Sequence, residues 1–488
     1  MESFWTSVQF KQFSQTKDLT SKYNSIRDWL CSINSSYFEQ LHEEIFKIYN
    51  KELEEEASLS KCDSTYVSIA ANFKFIFLFT VNINPFSYFC PEIKNKYHNM
   101  ENFTFYSPTY FAFGKGTEST AGEYVKKFGG TKVLLHYGGG SVVRSGLLDN
   151  VKKSLDTQNI PYIELGGVKP NPRSGLVYEG IELCRKEKVD FILPVGGGSA
   201  IDSAKAIAAG VPYSGDFWDF FEGKPVEKAL PVGTVLTIAA AGSEGSENTV
   251  ITKEEGMLKR GAGGEALRPA FSILNPELTT TLPSYQTACG AVDIMAHVFE
   301  RYFTNTTGVE VTDRLCEAIL LTMIKETPEA IANPANYDAR ANILWAGMVA
   351  HNNICGVGRR QDWSSHTIEH EISALYDVAH GAGLAVIFPA WMKYVMHHDI
   401  NRFAQFAVRV WGCKMNEENP EETAKEGIQR FEKFLKLIGM PTTFGEIGAK
   451  AEDIPYMVKN IGLKGKYTLG SFVKLTEEDI ANIYKLAL

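Results

Sequence analysis

The chain has 488 residues, 44% hydrophobic and 22% charged; it is an ordinary globular composition, too long for one compact core, so two or three domains are expected. A formal net charge of −9 argues against nucleic acid as the main partner. The 8 cysteines show no CxxC and no regular spacing, which suits free thiols in a reducing, cytoplasmic compartment.

The N-terminus begins with polar and aromatic residues and is not expected to act as a cleavable signal. Between residues 22 and 57, Ile26, Trp29, Leu30, Ile33, Phe38, Leu41, Ile45 and Ile48 fall at helical spacing, with a break at Asn34-Ser35-Ser36. The acidic run Glu52–Glu56 reads as a solvated helix end. The apolar run Phe73–Val81 contains Lys74 and is about half the length that spans a bilayer, so it reads as a buried strand or core segment and implies no membrane partner. All 41 glycines lie after residue 100. An α/β fold needs glycine at its turns, so residues 1–99 are expected to be a separate, mostly helical extension. An interaction module, an arm packed on the rest of the chain, and an upstream segment without function all remain open for it. Met100 opens MENFTFYSPTYFAFGKG, which itself looks like the beginning of a protein.

From residue 131 the pattern alternates strand and helix. TKVLLHY is a strand that leads into Gly138-Gly139-Gly140-Ser141 and a helix-like SGLLDNVKKSLDTQ; IPYIEL is the next strand, VYEGIELCRKEK a helix, and DFILPV a strand that runs into Gly196-Gly197-Gly198-Ser199 and the helix SAIDSAKAIAAG. This βαβαβ order predicts a parallel sheet with crossover helices. Glycines after a buried strand let backbone N–H groups approach a phosphate at a helix N-terminus. The second turn does not fit G-x-G-x-x-G, because position 201 is Ile. Taken alone, either turn could simply tighten a connection.

Further on, Asp293 and His297 sit at i and i+4 in AVDIMAHVFE, on one helical face. His366 and His380 bracket a helix-like stretch expected to end in a Gly-rich turn. One carboxylate and three imidazoles suit a divalent first-row metal with room for an exogenous oxygen. An Asp-x-x-x-His pair is also common as a hydrogen-bonded or solvated pair. Clustering favours the metal: 5 of the 10 histidines lie from His297 to His380, and a carboxylate among Val292, Ile294 and Met295 is costly to bury without a partner.

GGGSAIDSAKAIAAG, AVDIMAHVFE and HTIEHEISALYDVAHGAGLAVIFPA, together with YGGGSVVRSG, GGVKPNPRSG, AGSEGS, FSILNPELT and QDWSSH, occur in an order that resembles the iron-containing (group III) alcohol dehydrogenases, nearest their NADPH-dependent butanol dehydrogenase and aldehyde reductase branch. The resemblance covers residues 100–488 and not 1–99. It implies a Rossmann-like α/β dinucleotide-binding domain over 100–282, followed by an all-helical metal-binding domain over 283–488, with the active site in the cleft. It implies Asp293, His297, His366 and His380 as ligands to iron or zinc. His370 matches a histidine near the nicotinamide, either a proton relay or a buried support. Gly197, Gly198 and Ser199 match the pyrophosphate turn, Asp202 a residue on the nicotinamide side, and Thr237 and Lys259 further cofactor contacts. Gly138, Gly139 and Ser141 match the place that accommodates a 2′-phosphate, so NADP(H) is the expected cofactor. One departure is the family's TLPATGSE, which reads TIAAAGSE here and puts Ala241 at the second threonine. The implied activity is reversible hydride transfer between NADP(H) and a small aldehyde or primary alcohol, in a homodimer. Two alternatives stand beside it: a glycerol-dehydrogenase-like or dehydroquinate-synthase-like enzyme on the same fold, and a non-catalytic scaffold carrying an N-terminal module.

Overall fold

The computed structural model describes residues 99–463 and 467–488. The readings for the N-terminal extension therefore lie outside the described residues, apart from its last position. The strands are β1 Tyr110–Phe113, β2 Val133–Gly138, β3 Tyr162–Val168, β4 Phe191–Gly196, β5 Gly233–Leu236, β6 Asn248–Lys253, β7 Leu258–Gly263 and β8 Phe271–Leu274. Six of them form one sheet in the order β1-β8-β5-β4-β2-β3, and each neighbouring pair is parallel. β6 and β7 pair antiparallel as a separate hairpin.

The strand residues sort by period two, as strands covered on both faces do. Leu134 and Ile192 point into one core with Val177, Ile181 and Ile207. Val133, Leu135, Phe191, Leu193 and Val195 point into the other, with Val125, Val151 and Leu155. The helices that cover these faces are α1 Ala121–Lys127, α2 Ser141–Arg144, α3 Leu147–Thr157, α4 Ser174–Glu187 and α5 Gly198–Gly210. α5 starts at once after β4, with Gly197 as its N-cap residue. β1 is a strand that period analysis beginning at residue 131 does not find. YFAF is short, aromatic and at the sheet edge, with Tyr110 and Phe113 exposed.

Helices account for most of the remainder: α6 Ser284–Tyr302, α7 Glu310–Ala332, α8 Tyr337–His351, α9 Ser364–Tyr376, α10 His380–Val395, α11 Ile400–Trp411, α12 Pro420–Leu437, α13 Ile454–Ile461 and α14 Glu477–Leu486. α6 follows Pro283 and is buried continuously from Thr287 to Tyr302. A helix buried on every face lies at the centre of a domain, and α6 packs against α7, α8 and α10.

The sequence HGAG does not make the expected Gly-rich turn. The chain turns earlier, through Asp377 in the left-handed region (φ 53), and His380 opens α10 with Gly381 and Gly383 in its first turn. The reason is close packing. A Cβ on Gly381 would collide with the Cys289 carbonyl of α6, and one on Gly383 with the Glu369 carboxylate of α9.

Inside the sheet domain His136 of β2 is wholly buried; its Nδ1 meets the Leu165 carbonyl at 2.8 Å and its Nε2 meets Ser203 Oγ at 2.8 Å. Burial pushes its pKa down from 6.5 to about 4. The unfolded chain then binds more protons between these values, so stability falls as pH drops from 6.5 towards 4, by at most ~3 kcal/mol for this group. Urea unfolding of wild type and His136→Gln at pH 7.5 and pH 4.5 should show a smaller acid loss in the variant; equal losses would show that His136 does not titrate in this window.

Candidate active site

Asp293 and His297 lie one turn apart on α6, His366 on the first turn of α9, and His380 at the start of α10. Three helices thus converge on one carboxylate. Asp293 Oδ1 is 3.7 Å from His297 Nε2, 3.9 Å from His366 Nε2 and 3.8 Å from His380 Nε2. These separations are too long for hydrogen bonds. They are close to the roughly 3.4 Å between donors that share a tetrahedral ion at about 2.1 Å. Asp293, His366 and His380 place their donor atoms all within 4.8 Å of one another, and His297 meets this set through Asp293. Asp293 Oδ1 and His366 Nε2 are buried without a hydrogen-bond partner. Burial raises the Asp293 carboxyl to about 7 and drives His297 and His380 well below the usual imidazole range. Neutral imidazoles with lone pairs facing an under-compensated carboxylate are a donor set that fits a divalent cation.

Behind these groups stand residues that motif reading did not single out. Glu300, fully buried on α6, accepts from His366 Nδ1 at 2.8 Å, His366 N at 2.9 Å and Trp363 N at 2.7 Å. Glu369 on α9 bonds His380 Nδ1. His351 of α8 stacks on His297 with ring centroids 4.1 Å apart, and Arg301 reaches both, through the His297 carbonyl at 2.7 Å and His351 Nδ1 at 3.2 Å. Trp363 lies against His366 at 5.1 Å and under the Arg301 guanidinium at 4.8 Å. A glutamate after the mostly apolar run Ile294–Phe299 was the available signal for Glu300; Glu369, among His366, Thr367, His370 and Glu371, had none. His370 stands apart from the Asp293 cluster, its ring 5.5 Å from that of His380. Burial holds its pKa well below 6.5.

A cleft of about 1160 Å³ runs from this cluster to the carboxyl ends of β2, β4 and β5, where ligands of parallel α/β sheets bind. Gly138, Ser141, Gly197, Gly198, Ser199, Asp202, Thr237, Lys259, His370 and the Asp293 cluster all line it, whereas Gly139 does not. A Cβ on Gly198 would sit 2.8 Å from that of Ala241, so the turn and the departed threonine position are in contact. Thr237 N donates to Gly196 O at 3.0 Å and ties β5 to the turn. Asp202 uses both carboxylate oxygens within the protein, accepting from Ser243 Oγ at 2.6 Å and from Val250 N at 3.0 Å. Lys259, on β7, donates to Asn171 Oδ1 at 3.0 Å and to Ser373 Oγ at 2.8 Å, and so joins the sheet domain to α9.

With that geometry in place, the comparisons decide the family. Residues 108–276 match the profile of iron-containing alcohol dehydrogenase, and residues 287–488 that of the Fe-containing alcohol dehydrogenase family, C-terminal. The chain belongs to the iron-containing alcohol dehydrogenase family. A relative named NADH-dependent butanol dehydrogenase A, from Clostridium acetobutylicum, is 42% identical over 388 residues, which is 79% of this chain and 99% of the relative. The Escherichia coli NADPH-dependent aldehyde reductase YqhD is 35% identical over 392 residues, 80% of this chain and 100% of that one. The crystal structure of NADH-dependent butanol dehydrogenase A from Thermotoga maritima superposes with a TM-score of 0.77 at 44% identity, covering 80% of this chain and 100% of that one. This family member is accordingly an oxidoreductase of the alcohol dehydrogenase, butanol dehydrogenase and aldehyde reductase kind, using a nicotinamide cofactor and a divalent metal.

Lys205 of α5 is a second buried group that motif reading passed over. It is wholly buried, and its Nζ donates to the carbonyls of Ser243, Ser246 and Asn248 at 2.6, 2.8 and 2.9 Å, which fixes the AGSEGS loop along the cleft. Lys205→Met leaves those carbonyls without their donor. Thermal unfolding should show a loss of ~3 kcal/mol, and the KM for the nicotinamide cofactor should rise more than the KM for aldehyde. An unchanged Tm and an unchanged cofactor KM would show that the loop holds itself.

Proposed function

We propose that this protein is a metal-dependent alcohol dehydrogenase and aldehyde reductase that moves hydride between NADP(H) and a small aldehyde or primary alcohol. The observation that carries the reading is the convergence of three imidazole Nε2 atoms on the buried Asp293 Oδ1 within 3.9 Å. Asp293, His297, His366 and His380 would hold the ion, iron or zinc. When bound, such an ion supplies polarisation of a carbonyl oxygen, and the nicotinamide supplies the hydride. The chain's own residues orient and protect. Gly197, Gly198 and Ser199 offer backbone N–H groups to a pyrophosphate at the N-terminus of α5. Thr237, Asp202 and Lys259 shape the nicotinamide side of the cleft. Trp363 covers the imidazoles and keeps water from their faces. His370, its pKa held well below 6.5, accepts the hydroxyl proton when an alcohol is oxidised and passes it to solvent; in aldehyde reduction a solvent proton returns by the same route.

The family comparisons weigh against the dehydroquinate-synthase-like alternative, and the intact ligand set against a non-catalytic scaffold. A homodimer in the cytoplasm belongs to the same proposal; among the described residues β1 is an edge strand of the sheet, and no helix is long and apolar enough to cross a membrane. His380→Ala should leave a folded protein with little bound metal and aldehyde turnover reduced at least ~100-fold. Metal analysis and an NADPH oxidation assay read both quantities, and full activity in a metal-stripped preparation would refute the metal-dependent mechanism.

The NADP(H) reading rests on the first glycine turn. Gly138 and Ser141 line the cleft beyond β2, and among the described residues no carboxylate lines it there to repel a 2′-phosphate. Arg144, on α2 immediately after the turn, has Nη1 3.2 Å from where a Gly140 Cβ would sit. The relatives' names divide between NADH and NADPH, so measurement decides. Wild type should show the higher kcat/KM with NADPH, and Gly138→Asp should lower it with NADPH at least ~10-fold more than with NADH. A Cβ at Gly138 already lies 3.3 Å from the Val168 carbonyl, so Gly138→Ala is the steric control. Equal or better use of NADH by wild type would refute the assignment.

A further inference from the structure

His380 is the most exposed of the four proposed ligands. It is the first residue of α10, directly after the loop at 377–379, so the helix restrains it on one side only. Its side chain is 23% exposed, against 5–8% for Asp293, His297 and His366. Its ring therefore needs an anchor from elsewhere if its Nε2 is to stay on Asp293.

That anchor is Glu369. The carboxylate is completely buried, its Oε2 bonds His380 Nδ1, and its Oε1 has no hydrogen-bond partner. Space for it is made by Gly383, one turn into α10, where any Cβ would collide with Oε1. Lys259 Nζ lies 3.9 Å from Oε2. A carboxylate on Nδ1 fixes the tautomer that leaves Nε2 free and stops the ring from turning.

The arrangement with Glu300 is crossed. Glu300 stands three residues after His297 on α6 but grips His366 of α9. Glu369 stands three residues after His366 on α9 but grips His380 of α10. Each acid ties its own helix to the next imidazole around the site. His297 is the exception: its Nδ1 is buried and unpartnered, and His351 stacks on the ring instead.

We propose that Glu369 is a positioning residue that sets how tightly the site retains its metal, by locking the His380 ring with Nε2 on Asp293. This rests on the proposed metal site. Glu369→Gln keeps the shape and an acceptor but loses the charge; Glu369→Ala loses both. Gly383→Ala displaces the carboxylate without touching His380.

The test is the rate at which fully loaded protein gives up metal to a chelator, read together with the visible spectrum of the cobalt(II)-substituted protein and with Tm. The expected order of metal loss is wild type slowest, Glu369→Gln intermediate and Glu369→Ala fastest, with affinity lowered roughly 10- to 100-fold. Gly383→Ala should resemble Glu369→Gln. The cobalt spectrum should shift in all three, a change that a purely structural defect would not produce at full loading. If wild type binds no metal, the metal reading itself fails. If wild type binds metal and all variants release it at the wild-type rate with an unshifted cobalt spectrum, the role of Glu369 is refuted.

Discussion

A carboxylate in the middle of a buried helix dominates the energetics of this protein. Asp293 is 4% exposed, with Val292, Ile294 and Met295 beside it in sequence. Burying an ionised group without compensation is very costly, and no protein donor satisfies Asp293 Oδ1. Burial drives the His297 and His380 imidazoles towards the neutral form. A cation fixed among them answers both problems at once, because it compensates the carboxylate and uses the free ring nitrogens. The positions of α9 and α10 relative to α6 follow from this need, since each must bring one imidazole to the same oxygen.

Such convergence requires helices closer than ordinary side chains allow. Gly381 lets the start of α10 touch the backbone of α6 at Cys289, and Gly290 does the same for α6 against the carbonyl of Ala239. On the sheet side, Gly197 and Gly198 bring the N-terminus of α5 under the segment from Ile238 to Ala241. In each case the glycine matters for what it lacks, because a Cβ there would overlap a neighbouring atom.

Much of this was legible in the amino-acid sequence because it depends on local periodicity. The apolar runs in TKVLLHY and DFILPV, each leading into a glycine turn, mark β2 and β4, and the placement of Asp293 one turn before His297 follows from helical spacing alone. The sequence also shows glutamates at 300 and 369, but not their partners. Spacing suggests that each would meet the histidine on its own helix, three residues earlier. Helix packing instead sends each to the neighbouring helix. HGAG misled for a related reason: glycine signals a turn when only the local chain is considered, whereas here the partner is an α6 carbonyl nearly a hundred residues away. Asp202 shows the same limit, since its engagement by Ser243 and Val250 depends on a loop and a strand that meet only in the folded chain.

The β6–β7 hairpin lies between the two halves of the cleft. Lys259 holds Asn171 from the sheet domain and Ser373 from α9, while Arg260 holds Glu371 at 2.9 Å and the Asn460 carbonyl at 2.6 Å. Asn171 also donates to Asp377 at 3.1 Å, at the end of α9. α9 is the helix that carries His366 and Glu369. A shift of the hairpin therefore moves hydrogen-bond partners on both sides of the cleft. Where two occupants each prefer one position of such an element, linkage makes the effect symmetric: the factor by which one alters the affinity of the other is the same in both directions.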